Sequence, residues 1–151
     1  MSLTKAREYM EIALGLATAA AEDGEVPVGA IIVKDGVIIG RGANRPIGSH
    51  DPSAHAEILA MREAAAFLGN DRLVGCDLWV TLEPCAMCAG AIAHARIARI
   101  YFGADDPKGG AVVHGPRLYE QPTVHHRPEI YGGIAADESA ILLRDFFATR
   151  R

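Results

Sequence analysis

Leu78-Trp79-Val80-Thr81-Leu82, followed by Glu83-Pro84-Cys85-Ala86-Met87-Cys88-Ala89-Gly90 and then by Arg99-Ile100-Tyr101-Phe102, is the stretch whose reading decides the fold. Leu78 to Leu82 is a short apolar run that predicts a buried strand, Cys85 to His94 predicts a short helix, and Arg99 to Phe102 predicts a second strand. A short strand, helix, strand crossover predicts parallel neighbouring strands with the helix against a face of the sheet.

The flanking sequence extends this alternation. From Thr4 to about Glu22, Met10, Ala13, Leu14, Ala17 and Ala20 recur at helical spacing, with Gly24 as a stop. Val28 to Val33 and Val37 to Arg41 are β-branched runs joined by Asp35-Gly36, a two-residue turn signal that predicts an antiparallel hairpin. Asp51-Pro52-Ser53 reads as a helix start, with the helix running from about Ala54 to Phe67 and His55 and Glu57 in its first turn. A last helix is expected from Asp137 to about Thr149. Asp105 to Ile134 is rich in Gly and Pro and reads as an extended loop with short elements. The expectation is an α/β chain in which residues 1–151 form a single domain.

Two clusters carry chemistry: His55-Ala56-Glu57 and Pro84-Cys85-Ala86-Met87-Cys88, with 29 residues between His55 and Cys85. Cys85 and Cys88 at a helix start share one face, and the positive end of the helix favours their thiolate forms. His55 at another helix start can complete a triangle. Zinc takes thiolate sulfur and imidazole nitrogen, and three protein ligands keep its fourth position for water. Glu57 then stands where a carboxylate can move protons without coordinating, as hydrolysis at a heteroaromatic amidine requires.

A Cys-x-x-Cys alone also suits a structural zinc half-site or a redox pair, but no second such pair follows to close a four-ligand site. Nothing in the spacing of His50, His94 or Cys76 singles them out as a fourth ligand. Cys76 reads as an inert, partly buried residue and Met87 as core packing. His125-His126 reads as surface or as a contact to substrate or partner.

The formal net charge of −4 and pI near 5.8 argue against non-specific, charge-driven nucleic-acid binding. The charge is uneven: residues 1–107 carry 9 Lys+Arg against 14 Asp+Glu, and residues 108–151 carry 6 against 5. A polyanion would therefore meet Lys108, Arg117, Arg127, Arg144, Arg150 or Arg151 around a local site. No run approaches 18 apolar residues, no signal segment opens the chain, and the cysteines suit a reducing compartment, so a cytoplasmic protein without a membrane partner is expected.

His-Ala-Glu with Pro-Cys-x-x-Cys resembles the zinc-dependent cytidine/deoxycytidylate deaminase superfamily. Within it, Glu25-Val26-Pro27-Val28-Gly29-Ala30, Asn44-Arg45-Pro46-Ile47-Gly48, Asp51 to Ile58, Thr81 to Gly90 and Phe146-Phe147 resemble the bacterial tRNA-specific adenosine deaminases over nearly the whole chain. That resemblance implies a three-layer α/β/α fold with a central mixed sheet of about five strands and helices on both faces. It implies one Zn²⁺ per subunit on His55, Cys85 and Cys88, with Glu57 as the catalytic proton shuttle. It further implies a homodimer acting on the anticodon stem-loop of an arginine tRNA, converting the wobble adenosine to inosine. The substrate contacts it implies are Asn44, Val28, Ala56, Glu83, Pro84, Asp106, Lys108 and Phe147. In the loop after Lys108, the later part, Arg117 to Arg127, departs from the commonest form of that family, with extra Pro and His. Two other readings stay open: a zinc deaminase of a free base or nucleoside of the guanine or cytosine type, and a non-catalytic module with structural zinc.

Overall fold

A computed structural model describes residues 1–150; Arg151 lies outside the described residues. In chain order the elements are α1 (Leu3–Glu22), β1 (Gly29–Lys34), β2 (Val37–Ala43), α2 (Ala56–Leu68), β3 (Asp77–Leu82), α3 (Ala86–Ala95), β4 (Arg99–Ala104), a 3₁₀ turn (Leu118–Glu120), β5 (Glu129–Tyr131) and α4 (Ala136–Ala148). The strands form one sheet in the order β2-β1-β3-β4-β5. β1 runs antiparallel to β2 and β3, while β3, β4 and β5 are mutually parallel, which makes the sheet mixed as expected.

Both faces of the sheet are covered, and the side chains alternate accordingly. Ala30, Ile32, Leu78, Val80, Ile100 and Phe102 join Ala56, Ala60 and Ala64 of α2 and Ala89, Ile92 and Ala93 of α3 in one core. Ile31, Val33, Trp79 and Tyr101 point the other way and pack on Tyr9, Met10 and Ala13 of α1. Burial on both faces is why these strands read as continuous apolar runs rather than as an alternating pattern. Trp79 anchors the second layer, stacked on Tyr101 with ring centroids 3.9 Å apart and 5.2 Å from Tyr9. Ser139 of α4 donates its hydroxyl to the Thr81 carbonyl, fastening the last helix over the end of β3.

Two starts differ from the sequence reading. Asp51-Pro52-Ser53 does not open α2: the Asp51 carboxylate accepts hydrogen bonds from the Ser53 N–H at 2.9 Å and its hydroxyl at 2.7 Å, closing a local turn that competes with helix. His55, placed by sequence in the first turn, is instead the extended N-cap residue of α2. Cys85 likewise occupies the extended N-cap position of α3 rather than lying within the helix. Met87, read as core, is 41% exposed because it projects from the outer side of α3, and Cys76 is fully buried. Among the described residues, no helix is long and apolar enough to cross a membrane.

Candidate metal centre and active-site pocket

The ends of β2, β3 and β4 and the start of β1 lie at one edge of the sheet. In open α/β sheets this carboxyl-end crevice is where ligands bind, and the chain enters both α2 and α3 from it. His55 and Cys85 are the N-cap residues of those helices, and neither side chain caps its helix. Both are therefore free to converge. His55 Nδ1 lies 3.6 Å from the Cys85 sulfur and 3.6 Å from the Cys88 sulfur, and the three ligand atoms lie within 4.8 Å of one another.

That spacing fits zinc. Tetrahedral arms of about 2.3 Å to sulfur and about 2.0–2.1 Å to nitrogen require a nitrogen-to-sulfur edge of about 3.6 Å. Among the described residues no fourth His, Cys, Asp or Glu joins the group, so His50, His94 and Cys76 stand apart from it. The donor set is that of a single zinc site with a position left for water. Of the two sulfurs, Cys85 accepts from the Cys88 thiol and is pulled down to about 4, helped by His55, whereas that same bond and burial push Cys88 up. The hydrogen bond to Cys85 raises the His55 ring above its ordinary value.

Glu57, in the first turn of α2, is 4% exposed. Burial pushes its carboxyl up to about 7, with the Cys85 charge adding to that rise, and its neighbours include His55 and the Cys88 thiol. A carboxyl held near neutrality can both accept and donate a proton under ordinary conditions.

Around these groups is a pocket of about 260 Å³ lined by Val28, Asn44, His55, Glu57, Glu83, Cys85 and Asp106, together with Val26, Pro46, Leu82 and Gly109. Val26, Leu82, Asp106 and Gly109 also line a neighbouring groove of about 770 Å³ that carries Lys108, Phe147 and Arg150, so pocket and groove adjoin along a shared wall. Phe147 is 47% exposed there. Arg150 sits over the Phe146 ring, 4.4 Å from its centroid. Ala56 and Pro84 line neither space: the Ala56 N–H is bonded to Asn44, and the Pro84 carbonyl accepts from the Ala111 N–H at 2.9 Å.

Of the cations expected to meet a polyanion, Lys108 and Arg150 reach the groove. Arg127 donates instead to the Tyr119 and Gln121 carbonyls, and Arg117 pairs with Glu120. His126 is bonded to the Ile97 carbonyl at 2.6 Å. The sequence did not point to Val26, Pro46, Leu82 or Gly109 at the site, although Val26, Pro46 and Leu82 fall inside blocks that carried the family resemblance.

Two buried carboxylates hold the rims. Glu25, 3% exposed, accepts from the N–H groups of Ile47 and Gly48 at 3.2 and 2.7 Å, next to Pro46. Glu83 accepts from the N–H groups of Asp106, Val112, Val113 and His114 at 2.9–3.1 Å, so it organises the 105–114 loop.

An α/β/α sandwich carrying a His/Cys/Cys cluster and a buried glutamate at its strand ends is the architecture of the cytidine deaminase class, and the model of the cytidine and deoxycytidylate deaminase zinc-binding region matches residues 3–104. The tRNA-specific adenosine deaminase of Agrobacterium fabrum is 54% identical over 143 residues, covering 95% of this chain and 94% of that protein. A solved structure from work on A-to-I editing by tRNA:A34 deaminases at the wobble position superposes with a TM-score of 0.89 at 54% identity, covering 90% of this chain and 99% of the other. The guanine deaminase of Nitrosomonas europaea is more distant, with a TM-score of 0.75 and 26% identity over 94% of this chain and 84% of its own. The chain belongs to the tRNA-specific adenosine deaminase family, within the cytidine and deoxycytidylate deaminases.

Proposed function

We propose that this chain hydrolytically converts the wobble adenosine of a tRNA anticodon loop, that of an arginine tRNA, to inosine. The observation that carries the reading is the shared wall between the zinc-ligand pocket and a groove bearing Lys108, Phe147 and Arg150. A free base needs no more than the pocket of about 260 Å³ and has no use for the larger groove beside it. An RNA loop uses both: a poorly stacked nucleotide turns into the pocket at small cost, while its neighbours stack on the aromatic and their phosphates meet the cations. The 54% identity to a tRNA-specific adenosine deaminase supports the same substrate.

His55, Cys85 and Cys88 would hold the zinc. When bound, zinc supplies Lewis-acid activation of a water at the position its protein ligands leave free. Glu57 takes the proton of the attacking water and delivers it to the adenine ring nitrogen next to the amino-bearing carbon. It then passes a second proton to the departing amine, so that water adds, the carbon–nitrogen bond breaks and ammonia leaves. Asn44 orients the base: its oxygen is taken up by the Ala56 N–H, which leaves the amide N–H₂ to face an acceptor on the ring. Val28 supplies an apolar wall to the base, and Asp106 fixes the turn that presents Lys108 through bonds to the Lys108 and Gly109 N–H groups.

The working form is a cytoplasmic homodimer of this single-domain chain, as the family resemblance implies. Incubation of the zinc-loaded protein with an arginine-tRNA anticodon stem-loop tests the function, with free adenosine, cytidine and guanine in parallel. The expected product is inosine from the stem-loop and little turnover of the free compounds. Brisk guanine turnover with an inert stem-loop transfers the case to a free-base deaminase.

A further inference from the structure

The Glu83 carboxylate ties together the two ends of the 105–114 loop. Its side chain is fully buried, and it receives N–H groups from both ends of the loop, Asp106 on one side and Val112, Val113 and His114 on the other. Between those ends the chain arches over the junction of pocket and groove, where Gly109 lines both and Lys108 lines the groove. The arch is pressed close: a Cβ at Gly110 would collide with the Glu83 carboxylate, so only glycine fits there.

One further donor reaches Glu83. His114 Nδ1 lies 2.8 Å from Glu83 Oε1, and its Nε2 faces the Asp105 carboxylate at 3.6 Å. The other donors to Glu83 are backbone N–H groups, which no side-chain substitution removes. Among the described residues, His114 is thus the side chain through which the knot can be loosened while the buried carboxylate stays in place. Its ring ties the far end of the arch to Glu83 and, through Asp105, to the near end. The polar partners of its ring are Glu83 and Asp105, not the zinc-ligand residues or Glu57.

We propose that His114 is a positioning residue for RNA capture: clamped between Glu83 and Asp105, it sets the pitch of the 106–111 arch and so the place where Lys108 and Gly109 meet the substrate. The proposal rests on the tRNA-deaminase reading. An arch that contacts ground state and transition state alike governs KM and leaves kcat to the groups beneath it.

The test compares zinc-loaded wild type, His114→Ala and His114→Asn on the arginine-tRNA anticodon stem-loop, with zinc content and amide exchange measured on each. Asn carries an N–H donor at the same distance along its side chain as Nδ1. For His114→Ala the expected result is a KM raised about tenfold with kcat within about twofold, unchanged zinc content and faster exchange at Val112 to His114. His114→Asn is expected to recover most of the lost KM. Wild-type KM and exchange in His114→Ala, a kcat that falls together with zinc content, or no recovery in His114→Asn overturns the proposal while leaving the function intact. A wild type that does not edit the stem-loop overturns the function itself, and the proposal with it.

Discussion

The carboxamide oxygen of Asn44 accepts a 2.7 Å hydrogen bond from the N–H of Ala56, 12 residues further along the chain. The N-cap residue of α2 is His55, whose ring is turned to the two sulfurs and does not cap the helix. Asn44, at the end of β2, does so from outside and thereby ties the helix that bears Glu57 to the sheet. Asn44→Ala should lower stability by about 1–2 kcal/mol, the ordinary worth of a helix cap, and reduce kcat/KM at least about tenfold through loss of the amide donor. Asn44→Asp retains the oxygen but not the donor, and should lose turnover even where its melting midpoint is preserved. Thermal denaturation beside steady-state kinetics separates the two effects.

Zinc should leave as the pH falls. The His55 ring is pushed above its ordinary value, chiefly by its bond to Cys85, and protons compete with metal for the same nitrogen and sulfur atoms. Chelator dialysis at mildly acidic pH should strip the metal faster than at neutral pH, lower the melting midpoint and abolish turnover, with zinc restoring all of it. Cys85→Ser and Cys88→Ser should each purify with far less than about one zinc per chain. Metal analysis across a pH series checks this.

Acid should also untie the 105–114 loop. Burial alone would raise the Glu83 carboxyl, but the bonds from the Asp106 N–H, the His114 ring and the Val113 and Val112 N–H groups outweigh it and hold the carboxyl below its ordinary value. The unfolded chain therefore takes up the proton first as pH falls. The stability this group contributes is complete above about pH 4.5 and disappears as the pH drops through the lower folded value. Glu83→Gln places an amide N–H₂ among the loop's donors and should destabilise the protein by about 1–3 kcal/mol at pH 7. Between pH 6 and 3 its melting midpoint should fall less steeply than that of wild type.

Phe147 is half exposed on the groove, so Phe147→Ala should leave the melting midpoint nearly unchanged. Loss of one stacking surface should still weaken stem-loop binding by about 1–3 kcal/mol. Lys108→Ala should weaken binding too, but through charge: the slope of log affinity against log salt should become shallower by about one. Equilibrium binding titrations over a salt series distinguish the two side chains.

Much of this was legible in the sequence for one physical reason: strands buried on both faces must be apolar at every position, so Ile31, Ile32, Leu78, Trp79 and Val80 announce themselves. The ligand set was legible because metal chemistry admits few residue types and the spacing of Cys85 and Cys88 places both at one helix end. β5 was not, because Glu129–Tyr131 is a short edge strand whose side chains are largely exposed. The loop-organising roles of Glu25 and Glu83 were hidden for the opposite reason, the family resemblance offering Glu83 only as a substrate contact: an acidic residue reads as solvated, and nothing local shows that loop N–H groups from distant segments will surround it. Met87 was misplaced because its apolar character outweighed its position on the outer side of α3.

The direct measurement is single-turnover inosine formation by Glu57→Ala on the anticodon stem-loop, with zinc content and melting midpoint determined on the same sample. Glu57 does not belong to the ligand cluster, so metal and fold should be retained while the rate falls by roughly 10²–10⁴ or more, since the carboxyl serves each proton transfer. A zinc-loaded Glu57→Ala protein that edits at close to the wild-type rate would contradict the account.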